Sequence, residues 1–260
     1  MKLRSIAAVL LVIAAQCSVL RAQATASKTG EIHMLCSNGV KAVIEQITPQ
    51  LQQSIGSRFS IEFGTAASLK QKIDAGAPFD VAILTPGMIA TLTSQGKIVQ
   101  GTGSDVSRTD IGVAVRAGAP KSDVSSPEKL KQTLLNAKSI TYFKSGSIAD
   151  VITELIERLG ISAELKPKLN PQLQASHAAE AVAAGEVEVA ITLIREIQSV
   201  RGVEYLGPVP PDLPSSVILT AGVGAKSNDV ESAKAVVKFL TGPSAEPTLR
   251  ANGMEPARRK

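Results

Sequence analysis

The chain has few of the residues that give flat ligands, metals or nucleic acids a binding surface. It contains no tryptophan, two tyrosines and five phenylalanines in 260 residues, which argues against a site built on aromatic stacking. Two histidines, and a single cysteine once the predicted signal with Cys17 is removed, argue against a structural zinc site. Basic residues form no stripe interleaved with aromatic ones, so nucleic acid is not an expected partner.

The N-terminal segment has the pattern of an export signal. Lys2 and Arg4 precede an apolar run over 6–15, which is too short to span a bilayer. An A-x-A cleavage site follows at Ala22-Gln23-Ala24. We therefore predict a signal peptide over 1–24 and a mature protein in the periplasm. A membrane anchor or a buried helix is the alternative for this run.

The two cysteines bear on anchoring and on disulfides. Removal of the signal leaves Cys36 as the single cysteine, so no internal disulfide is expected. Lipid attachment at Cys17 requires a small residue before it, and Gln16 stands there instead. Three of the 28 basic residues and none of the 23 acidic ones lie in the signal, so the mature chain is close to neutral. A mature chain of this size folds unaided, and we expect a monomer.

Apolar segments alternate with amphipathic helical ones, which predicts an α/β fold with largely parallel sheets. A first α/β unit ends before a second one begins near Ile111, and no flexible linker separates them. Two such units predict two lobes, each a mostly parallel sheet flanked by helices. Ligands bind beyond the carboxyl ends of the strands in such sheets, so a cleft between the lobes is the expected site.

Three strand-to-helix turns carry hydroxyl or amide side chains beside a helix start, over 36–39, 64–68 and 144–147. Free backbone amides and the helix dipole at such a start attract anions. The alternative for each turn is that the hydroxyl only caps its own helix. Thr192 ends a later strand and is either a further donor or an internal hydrogen-bond partner. The candidate ligand-binding residues are Ser37, Asn38, Thr65, Ala66, Ser68, Ser145, Ser147 and Thr192.

Catalysis has little support in the sequence. Cys36 at a strand end is a candidate nucleophile, but no histidine and acid stand in a recognisable arrangement with it, and a buried structural cysteine is the alternative. Asp80 is a candidate catalytic acid, with capping or pairing inside its loop as the alternative. No GxSxG, HExxH, P-loop or GxGxxG motif is present. We therefore expect a binding protein without a cofactor or metal rather than an enzyme.

Several segments resemble the periplasmic molybdate-binding family of ABC transporter components, in the family's order. The strongest is LKQKIDAGAPFDVAIL, followed by a short helix and GKI. ITELIERLGI, AVAAGEVEVAITL, VVKFLTGPSAE and ANGMEP follow it along the chain. The resemblance implies a type II periplasmic binding protein fold, with lobe one over 28–108 plus 217–260 and lobe two over 109–216. It also implies a receptor that closes on molybdate or a related oxyanion and delivers it to a membrane permease.

The chain departs from this family's pattern at its oxyanion contacts. The family usually has serine where this chain has Asn38, and a serine pair where it has Thr65-Ala66. Leu193 stands where the family often has tyrosine, and the third turn lacks the family's Asp-Pro start. Each missing donor to a buried charge costs on the order of 1–3 kcal/mol. A receptor of the same fold for a different small anion or an organic solute is therefore the alternative.

Overall fold

The computed structural model describes residues 30–144, 146–172 and 175–257. The predicted signal peptide over 1–24 and the candidate residue Ser145 lie outside the described residues. In the described ranges, no helix is long and apolar enough to cross a membrane.

The first part of the chain alternates strands with helices. Its elements are β1 (Glu31–Ser37), a 3₁₀ turn (Asn38–Val40), α1 (Lys41–Ile55), β2 (Arg58–Gly64), α2 (Ala66–Asp74), β3 (Val81–Leu84) and α3 (Pro86–Ser94). β1 lies between β2 and β3 and is parallel to both. Ser37 pairs with Gly64 in this register, so the turns that follow β1 and β2 lie side by side.

A second group of elements follows, with one long strand at its start. These are β4 (Ser104–Arg116), α4 (Pro127–Asn136), β5 (Ile140–Thr141), α5 (Ser147–Leu159), α6 (Ser162–Leu165), a 3₁₀ turn (Lys166–Lys168), α7 (Ala175–Ala184), β6 (Val189–Leu193), α8 (Ile194–Ser199) and β7 (Val203–Pro208). β5 is parallel to β6, and β4 pairs with both β6 and β7 in antiparallel fashion. The carboxyl ends of β5 and β6 therefore lie together, beside the start of α5.

The C-terminal elements return to the first part of the molecule. They are β8 (Ser216–Val223), α9 (Val230–Leu240), α10 (Glu246–Ala251) and β9 (Glu255–Pro256). β8 pairs with β3, and buried residues of α9 and α10 share one hydrophobic cluster with those of α1, β1 and β3. A separate cluster joins α4, α5 and α6 to β4 and β6. The described residues thus form two halves with cores of their own.

β4 connects the two halves. Residues 104–110 of this strand pair with β8 and 111–115 pair with β6, so one continuous sheet runs through the molecule in the order β2-β1-β3-β8-β4-β6-β5. The sequence predicts a strand only from Ile111, because Val106 is the single aliphatic residue in the preceding 104–110 segment. The predicted lobe boundaries, 28–108 plus 217–260 and 109–216, stay a prediction.

The α/β class and the two-lobed architecture are confirmed, but the strand directions need a correction. The pairs β1–β2, β1–β3 and β5–β6 are parallel. The pairs that β4 and β8 make are antiparallel, so the sheet is mixed rather than mostly parallel. The reason is that the chain crosses between the halves along β4 and returns along β8, and two strands that run in opposite directions pair antiparallel.

Candidate ligand-binding cleft

A cleft of about 240 Å³ lies between the two halves, where the turns after β1, β2, β5 and β6 converge. It is smaller than the roughly 300–1,000 Å³ of pockets that take drug-sized molecules, so it suits a small solute. Its lining comes from both halves and comprises Ser37, Asn38, Gly39, Thr65, Ser107, Thr109, Phe143, Gly146, Ser147, Ile148, Leu193, Arg195, Val217, Leu219 and Met254.

The first predicted turn lies in this cleft. The Ser37 Oγ accepts a long hydrogen bond of 3.4 Å from the Gly39 N–H, which leaves the hydroxyl proton of Ser37 available to a ligand. The amide side chain of Asn38 forms no hydrogen bond within the described residues. A Cβ atom at Gly39 would lie 3.0 Å from Leu219 Cδ1, so the glycine allows this turn to pack closely against β8.

The second turn caps α2, and only part of it lines the cleft. Thr65 is the N-cap of α2, with its Oγ1 accepting from the Ser68 N–H at 3.1 Å, and it also lines the cleft. Ser68 is exposed, and its hydroxyl donates to the Thr65 carbonyl at 2.9 Å. Ala66 is 2 % exposed and packs with Leu69 beneath the sheet. The structure therefore places Ser68 and Ala66 outside the cleft lining, because both serve the start of their own helix.

The third turn brings the N-terminus of α5 to the cleft. Gly146 precedes this helix with φ 71° and ψ −168°, a conformation that only glycine adopts readily. No side chain caps the helix among the described residues, so the amides of Ser147 and Ile148 point out of the helix end without a partner. The Ser147 side chain also forms no hydrogen bond there. Ser145, the other candidate in this turn, lies outside the described residues.

Thr192 does not line the cleft. Its side chain is fully buried, and its Oγ1 has no hydrogen-bond partner among the described residues. Thr192 pairs with Gly112 on β4, and its neighbour Leu193 faces the cleft instead, because successive side chains of a strand point to opposite sides. Thr141 on β5 is likewise buried with an unpartnered hydroxyl.

Three polar residues in the lining were missed by the sequence analysis. Ser107 and Thr109 lie on β4 and are 1 % and 8 % exposed, and Arg195 lies on α8. The side chains of Ser107 and Thr109 form no hydrogen bond within the described part of the chain. The two β4 residues were missed because 104–110 was not predicted to be a strand. For Arg195, its position two residues beyond the carboxyl end of β6 is a usable signal, since that edge was expected to face the cleft.

The electrostatics of the lining favour an anion. Arg195 is the one charged residue among the lining side chains of the described chain, and none is acidic. Its Nη2 also forms an ion pair of 3.1 Å with Glu196 Oε1. The described residues include no group of three or more His, Cys, Asp or Glu side chains that could hold a metal ion. The cleft thus offers hydroxyl, amide and guanidinium donors without a built-in carboxylate.

The two residues considered for catalysis lie away from the cleft lining. Cys36 is fully buried, and burial raises the pKa of its thiol far above the ordinary range, which suppresses the thiolate. Asp80 accepts hydrogen bonds from the His33 N–H at 2.8 Å and the Ser227 hydroxyl at 2.6 Å. Its carboxylate therefore joins the start of β3 to β1 and to the loop after β8, a structural role whose partners lie outside the loop of Asp80, where the sequence alternative placed them.

Comparisons with known proteins agree with this architecture. Aconitate isomerase from a Pseudomonas species is 24% identical over 228 residues, covering 86% of this chain and 87% of that protein. The molybdate-binding protein ModA from Azotobacter vinelandii is 25% identical over 236 residues, covering 88% and 92%. The solved substrate-binding domain of a putative molybdenum ABC transporter from Clostridium difficile superimposes with a TM-score of 0.69 at 18% identity, over 88% of this chain and 99% of that one.

These matches confirm the resemblance to molybdate-binding proteins and the two-lobed type II fold. They include a protein named for binding and one named for isomerisation, so they do not by themselves fix the ligand. A family model for bacterial extracellular solute-binding proteins matches residues 32–255. Since that match spans most of the chain, the protein belongs to the family of bacterial extracellular solute-binding proteins.

Proposed function

We propose that this protein is a periplasmic receptor of an ABC importer that binds a small anion between its two halves. The observation that carries this proposal is the set of unpartnered donors in the cleft. Asn38, Ser107, Thr109 and Ser147 form no side-chain hydrogen bond within the described residues, and Arg195 adds a positive charge. Ser107, Thr109 and Ser147 are buried residues, and buried polar groups are normally paired, so these three side chains left without a partner around a cleft are suited to a ligand.

The arrangement of the two halves supports closure on the solute. β4 runs without interruption from one half to the other and β8 pairs along its first part, so the halves are joined along one edge of the cleft. Bending at this edge would bring the turn at 37–39 toward the start of α5 at Gly146. Such hinge closure around a ligand is common in two-lobed binding proteins. In this proposal the closed monomer then delivers the solute to the permease.

A thermal-shift screen of the mature protein tests the proposal. The panel contains molybdate, tungstate, sulfate, phosphate, mono- and tricarboxylic acids and neutral sugars as the uncharged control. An anion at about 100 times its dissociation constant adds about 2.7 kcal/mol to the free energy of unfolding. We expect at least one anion and none of the sugars to raise the melting temperature. A protein that no anion stabilises would contradict the proposal.

An isomerase acting on an organic acid is the second candidate function. The similarity to aconitate isomerase over 86% of the chain favours it. Moving a proton requires a base within hydrogen-bond reach of the substrate. No Asp, Glu, His, Lys or Tyr side chain lines the cleft in the described residues, which favours binding without turnover. Following cis- and trans-aconitate by proton NMR separates the two functions, and a steady interconversion by the purified protein would establish the isomerase.

A further inference from the structure

One wall of the cleft is apolar, and it is formed by both halves. Phe143, Ile148 and Leu193 come from the second half, and Val217, Leu219 and Met254 come from the C-terminal segment. Ile148, Leu219 and Met254 belong to the hydrophobic cores, with 6 %, 2 % and 7 % of their surface exposed. Such a wall offers nothing to the oxygens of an inorganic anion, whereas it favours the carbon skeleton of an organic solute.

Arg195 reaches from the second half to the C-terminal segment of the first. Its side chain lies directly over Gly253, where a Cβ atom would come within 2.7 Å of Arg195 Cδ. Gly253 has a φ of 69°, which glycine adopts without strain. Because Gly253 has no side chain, there is room above it for the aliphatic part of the arginine. The next residue, Met254, lies on the apolar wall.

The charge around Arg195 is close to balanced. Glu196 pairs with one guanidinium nitrogen at 3.1 Å, and this glutamate side chain is 14% exposed. A guanidinium has five N–H donors in a planar fork that matches a carboxylate, so donors remain for a ligand after this pairing. Because Glu196 already offsets part of the charge of Arg195, the positive charge that remains suits one carboxylate better than a compact dianion.

From these observations we propose that the solute is an organic acid with a single carboxylate, held by Arg195, and with an apolar body along the 143, 148, 193, 217, 219 and 254 wall. This inference rests on the proposed receptor function and names its ligand class. The hydroxyl and amide donors of Asn38 and Ser147 bind the second face of the carboxylate or a polar substituent. A tetrahedral oxyanion would leave the apolar wall to water.

Isothermal titration of the mature protein tests this ligand class. The probes are butanoate, hexanoate, hexanamide, molybdate and trans-aconitate. Hexanoate should bind about tenfold or more tightly than butanoate, since each buried methylene contributes about fourfold in affinity, or ~0.8 kcal/mol. Hexanamide has the same carbon chain without the charge, and it should bind at least tenfold more weakly than hexanoate.

Three variants assign the carboxylate to its partner. Arg195→Gln should weaken hexanoate by tenfold or more and leave hexanamide within twofold. Arg195→Lys keeps the charge but loses the planar fork, so its loss should be intermediate. Arg158→Gln is the matched control, because Arg158 is also paired with a glutamate, Glu154 at 2.9 Å, on the exposed side of α5. This control should bind hexanoate as the parent protein does, and a melting curve checks that each variant is folded.

The outcomes separate this inference from the receptor function. Molybdate or trans-aconitate binding more tightly than hexanoate would overturn the single-carboxylate class while leaving a receptor for anions. Hexanoate binding that Arg195→Gln leaves unchanged would overturn the role of this arginine. A protein that binds none of the charged probes, and that no anion of the thermal-shift panel stabilises, would contradict the receptor function itself.

Discussion

The two ends of the strands in the first half differ in how their polar groups are paired. At the end away from the cleft, the Asp80 carboxylate accepts two hydrogen bonds, and its backbone N–H and carbonyl are also bonded, to His33 and Gly224. At the cleft end, Asn38 and Ser107 form no side-chain hydrogen bond in the described chain. The polar groups at the far end have hydrogen-bond partners within the protein, whereas the cleft end retains donors that are available to a solute. Polar residues at the far end should therefore affect stability, and those at the cleft end should affect binding.

Asp80→Ala should give the largest effect on stability. It leaves the His33 N–H and the Ser227 hydroxyl without their charged acceptor, and hydrogen bonds to charged groups contribute about 1.5–3 kcal/mol each. We expect the free energy of unfolding to fall by about 3 kcal/mol in urea titrations, with anion affinity unchanged. A variant with full stability but weakened binding would reverse the proposed roles of the two ends.

The two ends of α5 offer a second comparison within one helix. Gly146→Ala at the cleft end forces alanine into a glycine-only conformation at a cost of about 1–3 kcal/mol, and it displaces the amides that face the cleft. We expect lower stability in urea together with at least tenfold weaker binding of the tightest anion in the panel. Gly160→Ala at the other end replaces the left-handed C-cap, at φ 66°, and should lower stability alone. Equal losses of binding affinity in both variants would contradict the assignment of only the Gly146 end of α5 to the cleft.

Asn38 and Ser68 form a matched pair of exposed polar residues at neighbouring turns. Asn38→Ala removes an unpartnered cleft donor, so anion affinity should fall about tenfold, as expected for roughly 1–2 kcal/mol, with stability within about 0.5 kcal/mol of the parent. Ser68→Ala removes a hydroxyl that bonds the Thr65 carbonyl, so it should leave affinity unchanged. Calorimetric titration of both variants decides this, and a binding loss confined to Ser68→Ala would contradict the geometry of the cleft.

The smallest effect is a pH-dependent one at the far end. Hydrogen bonds from Lys70 and Lys97 lower the pKa of Asp74 below its ordinary value. A carboxylate whose pKa is lower in the folded state stabilises the fold above its unfolded pKa near about 3.9, and that contribution is lost as the pH falls through the folded pKa. Asp74→Asn should therefore lower the melting temperature slightly at pH 7, and this difference should shrink as the pH falls below the unfolded pKa. A difference that persists in acid would exclude this cause.

The sequence predicts the fold better than it predicts the cleft. Helix starts and buried strands follow from local patterns, so the strands of the first half and the two-lobed architecture were predictable. The antiparallel pairing of β4 across the two halves was not predictable, because its 104–110 segment is mostly polar. Ser68 was predicted as a ligand contact because capping and anion binding use the same residue types, and Ala66 because it lies in the same strand-to-helix turn. The cleft roles of Ser107 and Arg195 depend on long-range packing, on β8 for the first and over Gly253 for the second.

Hydrogen–deuterium exchange with and without a bound anion tests the contrast between the two ends most directly. The probe is the anion that stabilises the protein most in the thermal-shift panel. The account predicts slower exchange on binding at 37–39, 65–66 and 146–148, and unchanged exchange around Asp80 and at 224–227. Protection confined to the Asp80 end, or none at the three cleft turns, would contradict the assignment of the cleft as the ligand site.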